Sequence, residues 1–362
     1  MTMGRDMRKV CDELKELGLD GLLLSPSADL AYLTGQEILS LERPVVFLVL
    51  DGQSIFLLPE FELTGLKRAE QENVIYVGWR EQEDPYKKLV GIVGDQKKKV
   101  AVEPEMPVKM FFKLQKAFPE WEWVPDEQIM RSMRMRKTER EHMLLKEAHI
   151  RSGRAFERLL KEKLEGKTEK QTALLLRNYL EEEGLECDGI PLVAAGRNTA
   201  KPHHRATDAV IREADPVLFD FGGRYQGYYS DITRTVVVGK APDGFEEIYE
   251  IVRRANEEAC RYARPGIAAE DLDWKARSVI DKAGYGDYFT HRLGHGTGRD
   301  IHEEPFIVMG NKVQLEEGNV FSDEPGIYIP GRYGVRLEDA LFLKKDGAEC
   351  LTELTHELLV VE

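Results

Sequence analysis

Residues 216–239 read PVLFDFGGRYQGYYSDITRTVVVG, and this stretch predicts a β-hairpin with an acidic residue at each strand end. Asp220 closes an apolar run that starts at Val217, and Asp231 opens a second run that ends at Val238. Both runs are rich in the β-branched and aromatic residues typical of strands, and the glycine-rich segment between them predicts a turn.

The two aspartates of this hairpin are predicted to face each other. If Arg224 pairs with Gly227 across a two-residue loop, Asp220 and Asp231 lie directly opposite, with Cβ atoms roughly 5 Å apart. Like charges opposed across a ladder destabilise it, so a bound cation is one explanation for the pair. Exposed carboxylates at the strand ends are the other explanation, and this hairpin alone does not decide between them.

A second hairpin repeats the pattern. Residues 318–343 read GNVFSDEPGIYIPGRYGVRLEDALFL, and the Pro330-Gly331 dipeptide marks its turn. Pairing about Gly331 places Glu324 opposite Glu338. The chain therefore contains two hairpins that each present an opposed acidic pair from otherwise apolar strands.

A histidine-containing segment, HRLGHGTG at residues 291–298, lies between the two hairpins. Gly294 and Gly296 flank His295 and leave backbone room around its imidazole. Four carboxylates and one imidazole suit two divalent metal ions about 3.5–4 Å apart that share bridging carboxylates. The residues therefore predict a dinuclear metal site.

Length and composition limit the class of protein. A chain of 362 residues exceeds one ordinary core, so two domains are expected. A formal charge of −14 argues against nucleic acid or an anionic membrane as a partner, and no apolar run approaches the roughly 20 residues of a membrane span. The N-terminus lacks the apolar core of a signal peptide, and the 4 cysteines contain no CxxC pair, which indicates reduced thiols in a cytoplasmic protein.

Residues 1–125 alternate strand and helix patterns, which predicts an α/β domain. The Asp51-Gly52 dipeptide predicts a tight hairpin between two of its strands. Residues 119–137 resemble a connector, with 126–137 separating the two domains. The predicted helices span residues 7–17, 86–93 and 108–118, and the predicted strands span 21–25, 44–50, 54–58, 74–77 and 99–102.

Residues 138–362 are predicted to form two related halves. A capping box at residues 138–141 opens a helix to about residue 164, and a second helix follows from Thr168 to Gly184. A similar pair, 245–262 and 269–284, recurs later in the chain, so that Gly184 corresponds to Gly284. Each helix pair precedes an acidic hairpin, and helices packed on a mostly antiparallel sheet form an α+β domain.

These motifs together resemble the pita-bread metallopeptidases of family M24, in the Xaa-Pro branch of prolidase and aminopeptidase P. The resemblance implies a pita-bread α+β catalytic domain built from two pseudo-symmetric halves over 138–362, and a creatinase-type α/β N-terminal domain over 1–125. The residues that carry it are Asp220 and Asp231 in DFGGRYQGYYSDITRT, His295 in GHGTG, His302 in IHEEP, Glu324 in DEPG and Glu338 in RLED.

The resemblance also implies the metal ligands and the reaction. Asp231 and Glu338 should bridge two divalent ions, Asp220 should hold one ion, and His295 and Glu324 should hold the other. The oxygen-rich set favours Mn²⁺, with Co²⁺, Zn²⁺ or Fe²⁺ as alternatives. The implied reaction is hydrolysis of the Xaa-Pro bond in dipeptides or at the N-terminus of short peptides, with Glu324 transferring a proton.

Further residues match family positions around such a site. His203 is similar to a histidine that orients substrate or shuttles a proton, and His302 to one that stabilises the tetrahedral intermediate; a structural role is the alternative for both. Arg336 either binds a substrate carboxylate or balances the acidic cluster. Tyr228 and Tyr328 are predicted as substrate-binding walls.

Two questions stay open from the sequence. Some prolidases carry an arginine shortly after the IHE segment that holds the dipeptide carboxylate; here Phe306 occupies that neighbourhood, so dipeptidase and aminopeptidase both fit. A metal-free creatinase-like amidinohydrolase, or a non-catalytic peptide-binding member of the fold, is the alternative function, although all five ligand positions are kept. The resemblance also implies a homodimer acting on a small peptide substrate.

Overall fold

The computed structural model describes residues 3–66 and 73–362, which fall into two compact units, Met1–Arg134 and Met135–Glu362. None of the helices in these described ranges is both long enough and apolar enough to cross a membrane. The elements of the first unit are α1 (Met3–Glu16), β1 (Gly21–Leu24), α2 (Ala28–Thr34), β2 (Val46–Leu50), β3 (Gln53–Pro59), β4 (Val74–Trp79), α3 (Pro85–Val93), β5 (Lys99–Val102), α4 (Val108–Ala117), β6 (Glu122–Pro125) and α5 (Ile129–Met135).

The first unit is built on a six-stranded mixed sheet in the order β4-β3-β2-β1-β5-β6. Every strand predicted for this unit is present, and Leu50 pairs with Gln53 across the predicted Asp51-Gly52 turn. The sheet is buried on both faces, because residues 22 and 24 of β1 contact one apolar cluster while Leu23 between them contacts another.

Two features of the first unit differ from the sequence prediction. Helix α2 was missed because it spans only 7 residues, although Ser27 caps it by accepting the Leu30 N–H. The segment 119–137, interpreted as a connector, contains β6 and α5. Strand β6 pairs in parallel with β5 and extends the sheet at its edge.

The second unit contains two helix pairs, two larger and mostly antiparallel sheets, and two short two-stranded antiparallel sheets. Its helices are α6 (Glu139–Leu159), α7 (Glu169–Glu182), α8 (Phe245–Tyr262) and α9 (Ala269–Lys282). Its strands are β7 (Leu192–Ala195), β8 (Pro216–Phe221), β9 (Arg224–Tyr225), β10 (Tyr228–Tyr229), β11 (Ile232–Val238), β12 (Gly294–Gly296), β13 (Glu303–Ile307), β14 (Val320–Asp323), β15 (Gly326–Tyr328), β16 (Gly334–Arg336), β17 (Asp339–Lys344), β18 (Gly347–Cys350) and β19 (Val360–Val361).

The two halves of this unit repeat one another, as predicted. Helices α6 and α7 accompany the sheet β19-β11-β8-β7, and α8 and α9 accompany the sheet β13-β12-β14-β17-β18. Gly166 donates its N–H to the Ile211 carbonyl at 2.9 Å, and Gly266 donates to the Leu315 carbonyl at 2.8 Å. Equivalent loops therefore start the second helix of each pair.

The two sheets meet where the acidic hairpins converge. Thr233 of β11 pairs with Glu338, whose N–H donates to the Thr233 carbonyl at 3.1 Å. Next to this bridge, the buried Arg234 Nη2 lies 2.7 Å from Asp339 Oδ1. Backbone and ion-pair contacts thus hold the two hairpins together at the residues that carry the predicted ligands.

Candidate metal centre

The predicted ligands come together in one cavity of about 360 Å³ in the second unit. Each lies at or near a strand end, where backbone pairing stops and a side chain can turn inward. The residues lining the cavity are Pro202, His203, Asp220, Asp231, His291, Arg292, His295, His302, Glu324, Arg336 and Glu338.

The first hairpin has a different register from the one predicted. Its two-residue loop is 226–227, and Asp220 pairs with Thr233 rather than with Asp231. The predicted direct opposition of the two aspartates was therefore wrong. Side chains alternate between faces with a period of two, so a shift of two residues keeps Asp231 diagonally beside Asp220 on the same face.

The second hairpin has the predicted register. The β14–β17 ladder ends with Asp323 opposite Asp339, and the β15–β16 ladder continues the same register toward the Pro330-Gly331 turn. Glu324 and Glu338 occupy the break between the two ladders. Their carboxylates are therefore presented from the same level of both strands.

The glycines beside His295 are required by neighbouring backbone. A Cβ on Gly294 would lie 1.8 Å from the Ser322 carbonyl oxygen of β14, and one on Gly296 would lie 2.3 Å from the Glu304 oxygen of β13. Both contacts are impossible. Strand β12 can therefore pass between its neighbours only because His295 stands alone between two glycines.

The imidazole of His295 is oriented for a cation. Its Nδ1 lies 3.1 Å from the Gly296 carbonyl and donates to it, which leaves the lone pair on Nε2. Nε2 lies 3.3 Å from Glu324 Oε1 and 3.7 Å from Asp231 Oδ2. An acceptor nitrogen that faces two carboxylate oxygens is unfavourable unless a positive charge lies between them, so this arrangement fits a metal ion.

The carboxylates form overlapping sets of three. The ligand atoms of Asp220, Asp231 and Glu338 lie within 4.8 Å of one another, as do those of His295, Glu324 and Glu338. Glu338 is common to both sets, which suits a bridging ligand between two ions. A third set joins His302 to Asp231 and His295, so the geometry also permits His302 to reach a metal.

Burial makes these acids hard to ionise together. Burial raises the pKa of Glu338 to about 8, with Glu324 and then Asp220 adding to the rise. Burial also raises the pKa of Glu324 to about 7, and that of Asp231 well above its ordinary range. Divalent cations would reverse this balance, because an adjacent positive charge favours the ionised carboxylates.

His149, on α6, contacts the backbone of the predicted ligand Asp231. It was not predicted from the sequence. Its Nδ1 donates to the Leu145 carbonyl at 2.8 Å, so its Nε2 accepts the Asp231 N–H at 3.3 Å. Burial lowers the pKa of His149 to about 4, which keeps this accepting form neutral. A signal was available, since His149 lies on the apolar stripe of α6 together with Leu145 and Phe156.

Arg336 is fully engaged by protein groups. Its Nη2 lies 2.6 Å from Asp220 Oδ2, and its Nε donates to Thr233 Oγ1 at 3.0 Å. Its Nη1 donates to the Tyr328 hydroxyl at 2.9 Å and to the Pro202 carbonyl at 3.2 Å. Of its two predicted roles, these contacts favour balancing the acidic cluster.

The remaining predicted residues separate into two groups. His203 and His302 line the cavity. Their neighbour His204, which was not predicted as a site residue, points elsewhere, and its Nε2 lies 2.8 Å from Glu169 Oε2. Tyr328 lies behind the lining, where its hydroxyl contacts His291 Nε2 at 2.9 Å. Tyr228 is not among the lining residues, which contradicts its predicted role as a wall of this cavity: its hydroxyl donates to Glu141 Oε1 at 3.0 Å, and its ring packs in the core.

Comparison with known families matches both units. Residues 143–345 match the family described as Metallopeptidase family M24, and residues 7–136 match the Creatinase/Prolidase N-terminal domain. The probable dipeptidase PepE of Mycobacterium tuberculosis is 36% identical over 350 residues, covering 96% of this chain and 93% of that protein. The Xaa-Pro dipeptidase of Pyrococcus horikoshii is 34% identical, covering 99% of both chains.

Solved structures agree with these similarities. The crystal structure of recombinant prolidase from Thermococcus sibiricus superposes with a TM-score of 0.95 and 37% identity, covering 100% of both chains. The pita-bread fold and the creatinase-type N-terminal domain are thereby confirmed. The similarities support a peptidase and not the metal-free or non-catalytic alternative.

Proposed function

The chain belongs to metallopeptidase family M24, and from that premise we propose that it hydrolyses the Xaa-Pro bond of dipeptides or of short peptides at their N-terminus. The observation that carries the proposal is the convergence of four carboxylates and one imidazole nitrogen, Nε2 of His295, on a single cavity. The names of its relatives, Xaa-Pro dipeptidase and prolidase, supply the substrate class.

We assign two divalent ions to this cavity. Asp220 would hold one ion, His295 and Glu324 would hold the other, and Asp231 and Glu338 would be shared. The overlapping ligand sets support the sharing by Glu338. Four carboxylates and a single imidazole favour Mn²⁺, with Co²⁺, Zn²⁺ or Fe²⁺ as alternatives.

The side chains of the cavity have separate roles in the proposed reaction. When bound, divalent ions lower the pKa of water and polarise the scissile carbonyl. Glu324, which Ser322 Oγ holds by a 3.2 Å hydrogen bond, takes the proton of the attacking water and delivers it to the departing nitrogen. His302 donates a hydrogen bond to the negative charge that develops on the carbonyl oxygen, and His203 orients the substrate.

We expect Ala-Pro hydrolysis to disappear after chelation and to return when Mn²⁺ is added. The ions contribute transition-state charge stabilisation that the carboxylates alone cannot supply. The measurement is proline release from Ala-Pro by purified protein, with metal content determined on the same samples.

The matched control substrate for this assay is Ala-Ala, which lacks the restricted tertiary amide of proline. Equal turnover of Ala-Ala and Ala-Pro would remove the Xaa-Pro assignment. The metallopeptidase assignment would be wrong if the purified protein contained no metal and neither Mn²⁺ nor Co²⁺ activated it. Comparison of Ala-Pro with Ala-Pro-Ala separates a dipeptidase from an aminopeptidase.

We further propose that the chain is a cytoplasmic homodimer. The 4 cysteines are all free, which suits a reducing compartment. The dimer is the assembly that the family resemblance implies. Light scattering of the active protein should give twice the mass of 41.4 kDa, and cell fractionation should recover it with the cytoplasm; a monomeric mass at full activity contradicts the dimer.

A further inference from the structure

Two guanidinium groups, Arg292 and Arg336, line the cavity, and they differ in what they contact. Arg336 is 3% exposed and uses each of its three nitrogens on protein groups, including the Asp220 carboxylate at 2.6 Å. Its charge and its hydrogen-bond donors therefore hold protein groups of the site, including the proposed ligand Asp220, in place. An incoming anion would have to displace those bonds in order to bind Arg336.

Arg292 has no such partners. Within residues 3–66 and 73–362, its guanidinium makes no hydrogen bond and no ion pair with another side chain or carbonyl. Its carbon Cζ lies 4.4 Å from the centroid of the Phe306 ring, and the side chain is only partly buried. A guanidinium that contacts an aromatic ring by a cation–π interaction can still use its planar N–H groups for a carboxylate.

The position of Arg292 is close to the reacting groups. It precedes the ligand His295 by three residues, and it interacts electrostatically with Glu324, His295 and His302. In a dipeptide, the scissile carbonyl carbon and the terminal carboxylate carbon are roughly 3–4 Å apart. A group that anchors this carboxylate must therefore lie beside the metal ligands, as Arg292 does.

We propose that Arg292, supported by the Phe306 ring, binds the C-terminal carboxylate of a dipeptide and so makes the chain a dipeptidase. This inference rests on the proposed function and adds its substrate class. A cavity of about 360 Å³ is near the small end of the range for small-ligand sites, about 300–1,000 Å³, which suits a dipeptide. In the sequence, Phe306 weakened the prediction of a dipeptidase; in the structure, its ring packs against the Arg292 guanidinium.

The test compares three substrates, Ala-Pro, Ala-Pro-amide and Ala-Pro-Ala, in wild type and in Arg292→Gln. Wild type should prefer Ala-Pro. Arg292→Gln should lower kcat/KM for Ala-Pro by roughly 10- to 150-fold, mainly through KM, because charge-assisted hydrogen bonds are lost. Turnover of Ala-Pro-amide should change little, and Arg292→Lys should restore part of the preference.

The matched control is Arg264→Gln, which removes an exposed arginine that lies over the Tyr262 ring at 4.9 Å, outside the cavity. This variant should leave kcat/KM for all three substrates unchanged. Phe306→Leu should weaken Ala-Pro binding less than Arg292→Gln does. As a readout independent of turnover, calorimetry on Mn²⁺-loaded protein should show that L-proline binds more tightly than prolinamide in wild type and loses that advantage in Arg292→Gln.

The outcomes separate this inference from the proposed function. If wild type cleaves none of the three substrates, the Xaa-Pro assignment fails, and the L-proline titration still tests Arg292. The carboxylate assignment is wrong if Arg292→Gln lowers kcat/KM for Ala-Pro and for Ala-Pro-amide by the same factor. It is also wrong if L-proline and prolinamide bind to wild type with the same affinity.

Discussion

Asp231→Asn and Glu338→Gln are each expected to remove bound metal and nearly all peptidase activity. Both changes delete a negative charge that the proposed site shares between two ions, while the size of the side chain stays nearly the same. Loss of about 4 kcal/mol of transition-state stabilisation corresponds to roughly 1,000-fold in rate. The measurement is metal content per chain together with kcat/KM for Ala-Pro.

Stability distinguishes loss of a ligand from loss of the fold. Asp231 and Glu338 are 5% and 2% exposed and lie among other acids, so their ionised forms repel one another when no cation is bound. The metal-free variants should therefore be at least as stable to urea as the metal-free wild type. Glu246→Gln, at the exposed start of α8, is the control that should change neither metal content nor rate. Full metal occupancy and full activity in either ligand variant would refute the bridging assignment.

The acidic hairpins show how far the sequence could predict the site. The Pro330-Gly331 turn is unambiguous, so the register that brings Glu324 level with Glu338 was correct. The first hairpin turns at Gln226-Gly227, where Gln226 has a φ of 51°. A left-handed glutamine is uncommon, so the sequence favoured a different turn and displaced the pairing by two residues.

The prediction that Asp220 and Asp231 lie close together was correct despite this error, because the face of a strand on which a side chain lies does not depend on a register shift of two residues. A shift of two residues changes which side chains are opposite but not the face on which they lie. Asp220 and Asp231 therefore converge in the structure although Asp220 pairs with Thr233. Patterning was sufficient to identify the predicted ligand residues as neighbours, whereas their distances depend on how the two sheets join.

The sequence could not decide between the two roles predicted for Arg336. Arg336 finds its partners on four separated segments, at Pro202, Asp220, Thr233 and Tyr328. No local pattern in the sequence indicates that these groups surround one guanidinium. For His149, the apolar stripe of α6 indicated burial, but no pattern indicated its contact with the backbone of Asp231 across 82 residues of chain.

His302→Ala and His203→Ala are expected to lose activity while keeping their metal. Neither histidine belongs to the proposed ligand set, and both line the cavity. Removing a hydrogen-bond donor to a developing oxyanion, the role proposed for His302, costs roughly 100- to 1,000-fold in kcat, about 3–4 kcal/mol. For His203, loss of substrate orientation and proton transfer should cost about 100-fold. Both effects should fall mainly on kcat, because these interactions strengthen in the transition state.

The matched control for His203 is its neighbour, His204. His204→Ala breaks the buried contact with Glu169 and should lower stability without a comparable loss of kcat. For His302, metal content is the decisive readout, because its ring centroid is 4.1 Å from that of His295 and its ligand atom lies within reach of Asp231. If His302→Ala loses an ion, His302 is a ligand and the five-residue set is incomplete. If it keeps both metal and full kcat, its role is structural, and the oxyanion must be stabilised by the ions and by other donors of the cavity.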